Sequence, residues 1–301
     1  MVVYSIKDLE NLTGIKAHTI RIWEKRYRII EPRRTSTNIR YYLEEDLKKI
    51  MNIALLNRNG YKISKIAKLQ NDDIQSIAAK LTDVDKSFEN QLDGLTLSVL
   101  ELNEDNFLKI FNANISQNGF KRTMLEVIYP LLDKLGMMWM AGSVEPIHEN
   151  FVSHIIKRKC IVEIDKLKIK RENAKKFVLF LPQGENGELS LNFLHFIIKS
   201  RGHKVINLGI NVEAQNVFSG CHICNPDYVL TIIDAMEDPN AYSNYVELLA
   251  QQTGEAELLL SGLQALRQKK YYPPKVHTFQ SSQELESLLD EIEQKELVTM
   301  T

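Results

Sequence analysis

SIKDLENLTGIKAHTIRIWEKRYRIIEPRRTSTNIRYY, residues Ser5 to Tyr42, packs two short helical patterns, a tight turn and a basic hairpin pattern into one small unit. Ser5 followed by Asp8 is a capping-box-like start, and Ile6, Leu9 and Leu12 share one apolar face before Gly14 breaks the helix. From His18 to Tyr27 a second helix is expected, because Ile20, Trp23 and Tyr27 recur at three- and four-residue spacing and so fall on one packing face. The opposite face carries His18, Arg21, Ile22 and Lys25. Two helices joined by a turn with glycine, the second with a basic outer face, is how a helix-turn-helix presents a recognition helix to the major groove.

Pro32 stops the helix, and Arg33-Arg34-Thr35, Ser36-Thr37-Asn38 and Ile39-Arg40-Tyr41-Tyr42 read as strand, turn and strand. Asn38 suits the positive backbone angle of a hairpin tip, and the flanking arginines reach for phosphate or the minor groove. The run IRIWEKRYRIIEPRRTSTNIRYY, with Asp46, a helix from Leu47 to Leu56, Gly60 and Ile63 to Ile66 after it, resembles the MerR-type winged helix-turn-helix of bacterial transcription regulators. The resemblance implies binding of double-stranded operator DNA by a homo-oligomer, dimer or tetramer. The implied contacts are His18, Thr19, Arg21 and Lys25 on the recognition helix and Arg33, Arg34, Asn38, Arg40 and Tyr41 on the wing.

Charge divides the chain in the same way. Its 301 residues carry a net charge of -1, yet residues 1 to 70 hold 15 Lys plus Arg against 7 Asp plus Glu, leaving 23 against 32 for the remainder. Only the N-terminal part is built for a polyanion. The length exceeds one typical domain, and 44% hydrophobic residues is enough to bury more than one core. No run of eighteen apolar residues occurs, and the N-terminus lacks the pattern of a secretion signal, so a cytoplasmic protein off the membrane is expected. Three cysteines, an odd number, argue against a disulfide framework.

Asp72 to Glu89 reads as a charged helical connector, and Leu92 to about Leu167 is helical throughout, with apolar positions consistent with a four-helix bundle. From Phe177 onward, five short apolar runs alternate with helical stretches: FVLFLP, VINLG, YVLTIID, AELLLS and VHTF. That alternation predicts a parallel sheet covered on both faces, a flavodoxin-like doubly wound α/β domain whose ligand would sit at the loops after Pro182, Leu208, Ile233 and Ser261. The expected organisation is multidomain: a winged helix-turn-helix, all-α with a β-wing, over residues 1–75, the bundle over 76–170, and the α/β domain over 171–301. Cys221-His222-Ile223-Cys224 offers zinc or redox chemistry on one reading and a packed helix end before Pro226 on the other; one such pair is too few for a closed tetrahedral site. No catalytic triad or phosphate loop emerges, and neither catalysis nor a metal site is expected.

This order of parts, with Trp139 ten residues before Glu149, is similar to the cobalamin-binding MerR-type regulators of the CarA and CarH kind. The resemblance implies a bundle whose Trp packs over cobalamin and an α/β domain whose Glu-x-His-x-x-Gly loop ligates cobalt from below. The candidate pocket residues it implies are Trp139, Glu149, Glu185, Gly187, Ser190, Gly209, Ser261 and Gly262. Five positions depart from that pattern. The ligand position is Gly187 and the closing glycine Ser190, the Glu-His pair is Glu149-Asn150, the residue after the Trp, a His in photosensing members, is Met140, and the Gly-Gly is Ser261-Gly262. Glycine offers no group for axial cobalt ligation, and His195 and His203 lie too far along the loop to replace it. The expectation is a regulator whose sensor fold is retained without cobalamin held in the usual His-ligated way. An adenosylcobalamin-dependent light-sensing repressor is the alternative, and a corrinoid methyl carrier a third.

Overall fold

The computed structural model describes residues 3–35, 37–81, 88–140, 142–169, 171, 173–267 and 272–299. Residues 82–87 of the predicted connector and Ser36 of the predicted hairpin turn lie outside them. The chain forms two compact units, Met1–Ile155 and Ile156–Thr301.

In the first unit, α1 (Ile6–Thr13) opens on the predicted capping box: Ser5 Oγ accepts from Asp8 N at 3.2 Å while Ser5 N donates to the Asp8 carboxylate at 2.7 Å. Gly14, at φ 72, ends the helix in the left-handed conformation that suits glycine. Helix α2 (Ala17–Tyr27) has no cap of its own, because Lys16 precedes it; Glu10 of α1 supplies the acceptor, taking Ala17 N at 3.0 Å and Lys16 Nζ at 3.0 Å. These partners hold the Glu10 carboxyl below its ordinary range.

Strands β1 (Arg33–Arg34) and β2 (Arg40–Tyr41) pair antiparallel, with Arg33 opposite Tyr41 and Arg34 opposite Arg40. Asn38 takes φ 65 between them, as the hairpin pattern requires. Helix α3 (Glu44–Arg58) is buried almost all round from Ile50 to Leu56 because α1 packs on one side and α5 (Asn71–Leu81) and α6 (Phe88–Leu100) on the other, while α4 (Ile63–Ile66) makes a short turn. Helix α7 (Glu104–Asn118), capped by Asn103, packs on α6 through Phe107 and Phe111, whose rings meet edge to face at 6.0 Å. A continuous helical run follows: α8 (Phe120–Thr123), a single π turn (Met124–Ile128) and α9 (Tyr129–Met140). Helix α10 (Pro146–Lys166) contains the boundary between the units.

The second unit is built on five parallel strands in the order β4-β3-β5-β6-β7: β3 (Lys176–Phe180), β4 (Lys204–Asn207), β5 (Tyr228–Ile232), β6 (Glu257–Ser261) and β7 (Val276–Thr278). Between them run α11 (Glu188–Ser200), α12 (Ala214–Cys224), α13 (Pro239–Gln252) and α14 (Leu263–Arg267), with α15 (Ser282–Thr299) last. The strands are apolar on both faces, Tyr228 to Ile232 being wholly buried, because helices cover both faces. Strand order reverses across β3, so the crevice beyond the carboxyl ends of β3 and β5 is where an open sheet of this kind binds ligands. Cys221 packs in the core beside Val217 and Val229, and burial raises its thiol to about 11. Asn225, at φ 44, caps α12 directly after Cys224, so the Cys-His-Ile-Cys run ends a helix with Cys221 buried and His222 and Ile223 exposed; among the described residues no three His, Cys, Asp or Glu side chains could share a metal. No helix among the described residues is long and apolar enough to cross a membrane.

Candidate nucleic-acid interface and ligand residues

Burial of Ile20 and Trp23 fixes the rotation of α2, and that rotation decides what its outer face shows. His18, Arg21, Ile22 and Lys25 are exposed, and Thr19 is half-buried with its hydroxyl 3.3 Å from the His18 ring. Arg33 and Arg34 are exposed on the hairpin, where Arg34 Nη1 donates to the Asn38 side-chain oxygen at 2.7 Å. Arg40 and Tyr41 are half-buried; the Arg40 Nε lies 3.9 Å from Glu24, so this arginine leans back on α2. The result is a surface with exposed His18, Arg21 and Lys25 on a helix and exposed Arg33 and Arg34 on the hairpin.

Two residues that the sequence did not single out hold these parts together. Glu24, on the inner edge of α2 with an 8% exposed side chain, accepts from the hydroxyl of fully buried Tyr42. Tyr42 in turn bridges Tyr4 through two backbone hydrogen bonds of 2.9 Å. Their partners lie many residues away, so no local spacing marks them.

Among the ligand candidates of the first unit, Trp139 lies in the last turn of α9 and is 45% exposed, next to Met140 at 81%. Glu149 is exposed in the first turn of α10, one residue after buried His148, whose Nδ1 accepts from Glu145 N at 3.0 Å. In the second unit, Gly187 is the N-cap of α11 with Ser190 exposed one turn on. The atoms nearest a β-carbon on Gly187 would be methyls of Leu181 and Ile232, at 3.8 Å, and the glycine itself offers no side-chain donor for a metal.

Glu185, 5% exposed, spans the crevice from β3 to the loop after β5, where its carboxylate accepts from Asp234 N at 2.9 Å and Ala235 N at 3.0 Å. Asp234 accepts from Leu263 N at 2.6 Å, at the start of α14. Amides that could receive an anionic group of a ligand are thereby filled by the chain's own carboxylates. Gly262, at φ 108, allows this closeness: a β-carbon would strike Ile233 O and fall 2.8 Å from Asp234 Oδ1. Ser261 ends β6, its carbonyl accepting from Ile233 N, and Gly209 turns the chain after β4 with its amide on Asn207 Oδ1 at 2.9 Å. The Thr231 hydroxyl, buried on β5, has no hydrogen-bond partner among the described residues.

Neither histidine of the loop replaces the missing imidazole. His195 sits two turns into α11 beside Asn207, and burial lowers its pKa to about 4. His203 is fully buried between the Phe177 ring and Glu293 Oε1, 3.4 Å from its Nε2. The side chains present do not fit a corrinoid gripped at cobalt by a histidine of this loop.

Residues 4–73 match the MerR HTH family of regulatory proteins, and residues 91–162 match a B12 binding domain. The chain is 23% identical to the HTH-type transcriptional repressor CarH of Myxococcus xanthus over 75% of this chain and 77% of that one. It is 22% identical to the repressor CarA of the same organism over 95% and 96% of the two chains. The solved monomethylamine corrinoid protein of Methanosarcina barkeri superposes over 68% of this chain and all of its own, with TM-score 0.50 and 10% identity, a likeness of fold. An N-terminal DNA-reading motif, a B12-type helical segment and a Rossmann-like sheet follow one another here as one polypeptide, similar along most of its length to the CarH and CarA repressors, and the chain is a DNA-binding transcriptional regulator with a MerR HTH region followed by a cobalamin-binding-like region.

Proposed function

We propose that residues 1–75 act as a winged helix-turn-helix that sets α2 in the major groove of an operator and the β1–β2 hairpin alongside it. Residues 76–170 act as a four-helix bundle and residues 171–301 as a flavodoxin-like domain, together receiving a signal and holding the chain in a dimer or tetramer. The observation that carries this reading is the exposure of His18, Arg21 and Lys25 directly opposite the buried Ile20 and Trp23, with Arg33 and Arg34 exposed on the adjoining hairpin. Paired heads would then read two half-sites, and the number of heads engaged would set occupancy by avidity. The chain works in the cytoplasm, with its operator.

The signal, in this reading, is not cobalamin held by a histidine, because Gly187 supplies no ligand and the carboxylates of Glu185 and Asp234 occupy the neighbouring amides. Gel retardation with a duplex from the chain's own promoter region tests the DNA side: a retarded band at low salt is expected, weakened in Arg21→Ala. A duplex that never shifts contradicts it. The B12 binding domain match favours a second reading, an adenosylcobalamin-dependent light-sensing repressor that holds its cofactor without a histidine. Incubation with adenosylcobalamin in the dark, followed by desalting, separates the two: colourless protein supports the first and coloured protein the second. A corrinoid methyl carrier is the least supported, since its chemistry also calls for the ligand absent at Gly187.

A further inference from the structure

Helix α9 is fastened to the DNA-reading elements at two separate places. Along its length, Lys134 Nζ donates to Asp93 Oδ1 of α6 at 2.9 Å; the other oxygen of Asp93 takes Arg58 Nη1 of α3 at 2.7 Å, and Arg58 Nη2 reaches Thr13 O at the end of α1 at 3.3 Å. The Asp93 and Lys134 side chains are only 14% and 17% exposed, so this shared carboxylate is shielded from much of the water that weakens surface pairs. Beside it, Asn59, the C-cap of α3, and Asn90 of α6 exchange amide hydrogen bonds of 3.1 and 3.0 Å.

At its carboxyl end, α9 closes in a Schellman turn: Gly142, at φ 67, donates to Trp139 O at 2.8 Å and Ser143 N to Met138 O at 2.8 Å. The Ser143 carbonyl therefore moves with the last turn of α9. Its partner is the hydroxyl of Tyr4, at 2.7 Å in a buried contact. From Tyr4 the connection continues through the paired backbone of Tyr42 and the Tyr42 hydroxyl to Glu24 on α2, and from Glu24 to Arg40 on the hairpin.

We propose that Tyr4 and Asp93 are positioning residues for DNA reading, coupling α9 to α2 and the hairpin through one and to α1 and α3 through the other. The proposal rests on the DNA-reading role given above. Hydrogen bonds held between packed elements have discrete made and broken states, so a displacement of α9 is passed on instead of being absorbed. Linkage makes the coupling reciprocal: operator bound at α2 must be felt at α9.

Hydrogen exchange on the full chain tests it. Adding the promoter duplex is expected to slow exchange of amides 134–140 and 142–143 by roughly fivefold or more, within the usual range of coupling. Tyr4→Phe with Asp93→Asn should retard the duplex more weakly in a gel and, at saturating duplex, lose most of that response. An unchanged rate at α9 in the native chain, or a full response in the double variant, overturns the proposal. Should the double variant fail to fold by circular dichroism, Tyr4→Phe alone, which keeps the buried ring, is judged by the same criteria. A second arm needs no DNA: Lys134→Ala should speed exchange at the distant ends of α1 and α3, around Gly14 and Asn59, and unaltered rates there overturn the coupling. Failure to bind any promoter duplex would thus count against the DNA-reading role, with the coupling still decided by this arm.

Discussion

Gly187 and His195 stand eight positions apart on the loop and helix where a corrinoid would be gripped, and each carries a prediction. At Gly187 the backbone, φ -78 and ψ 29, has the negative φ of an L residue, and a β-carbon meets methyls at 3.8 Å without collision. Gly187→His should fold and raise cobalamin retention by at least about tenfold over the native chain, read from visible absorbance after desalting. Equal retention in both would show that more than the ligand has been lost. His195 is held neutral by burial, with a folded pKa of about 4 against 6.5 when free. Between those values the unfolded chain takes up a proton that the folded chain refuses, so stability falls as pH drops from about 6.5 to 4 and is unaffected above that window. His195 is partly exposed, and screening trims its contribution to about 1–2 kcal/mol. Denaturant melts of His195→Gln should lose that part of the acid dependence; an identical pH profile would contradict it. The absence at Gly187 could be read from the sequence. The work of Glu185 could not, because the amides it caps belong to Asp234 and Ala235, 49 and 50 residues further on.

The elements show where local pattern suffices and where it fails. Short apolar runs bounded by Pro182, Gly209 and Gly262 announced the strands, and alternation with helices announced a parallel sheet, since only burial on both faces favours unbroken Val, Ile and Leu. The capping box of α1 and the φ 65 of Asn38 were legible too, being set by neighbours in sequence. The cap of α2 was not, as its acceptor Glu10 belongs to another helix, and neither was the π turn at Met124–Ile128, which no spacing of apolar residues marks. The β6–α14 junction provides a test at this scale. Gly262→Ala would push a β-carbon into Ile233 O at a φ of 108, and should destabilise the α/β unit by about 2–4 kcal/mol in denaturant melts. A loss below about 1 kcal/mol would mean that the junction relaxes easily and that the closeness of β5 and α14 is not built in.

For the whole molecule, the split of charge read from the sequence has a structural counterpart. Part of the excess of cations in residues 1 to 70, Arg21, Lys25, Arg33 and Arg34, faces outward on α2 and the hairpin, while Glu24, Asp93 and Glu185 are turned to internal partners. A regulator so divided should bind DNA through the phosphate charge its N-terminal unit neutralises and select its site through the few side chains that reach base edges. Salt dependence measures that division directly. Fluorescence anisotropy of the full chain on its labelled promoter duplex, across a salt series, should give a logarithmic affinity falling linearly with the logarithm of salt. The slope should shrink by about one on Arg33→Ala. An affinity indifferent to salt, or a slope untouched by removing the exposed arginines of the hairpin, would contradict the account.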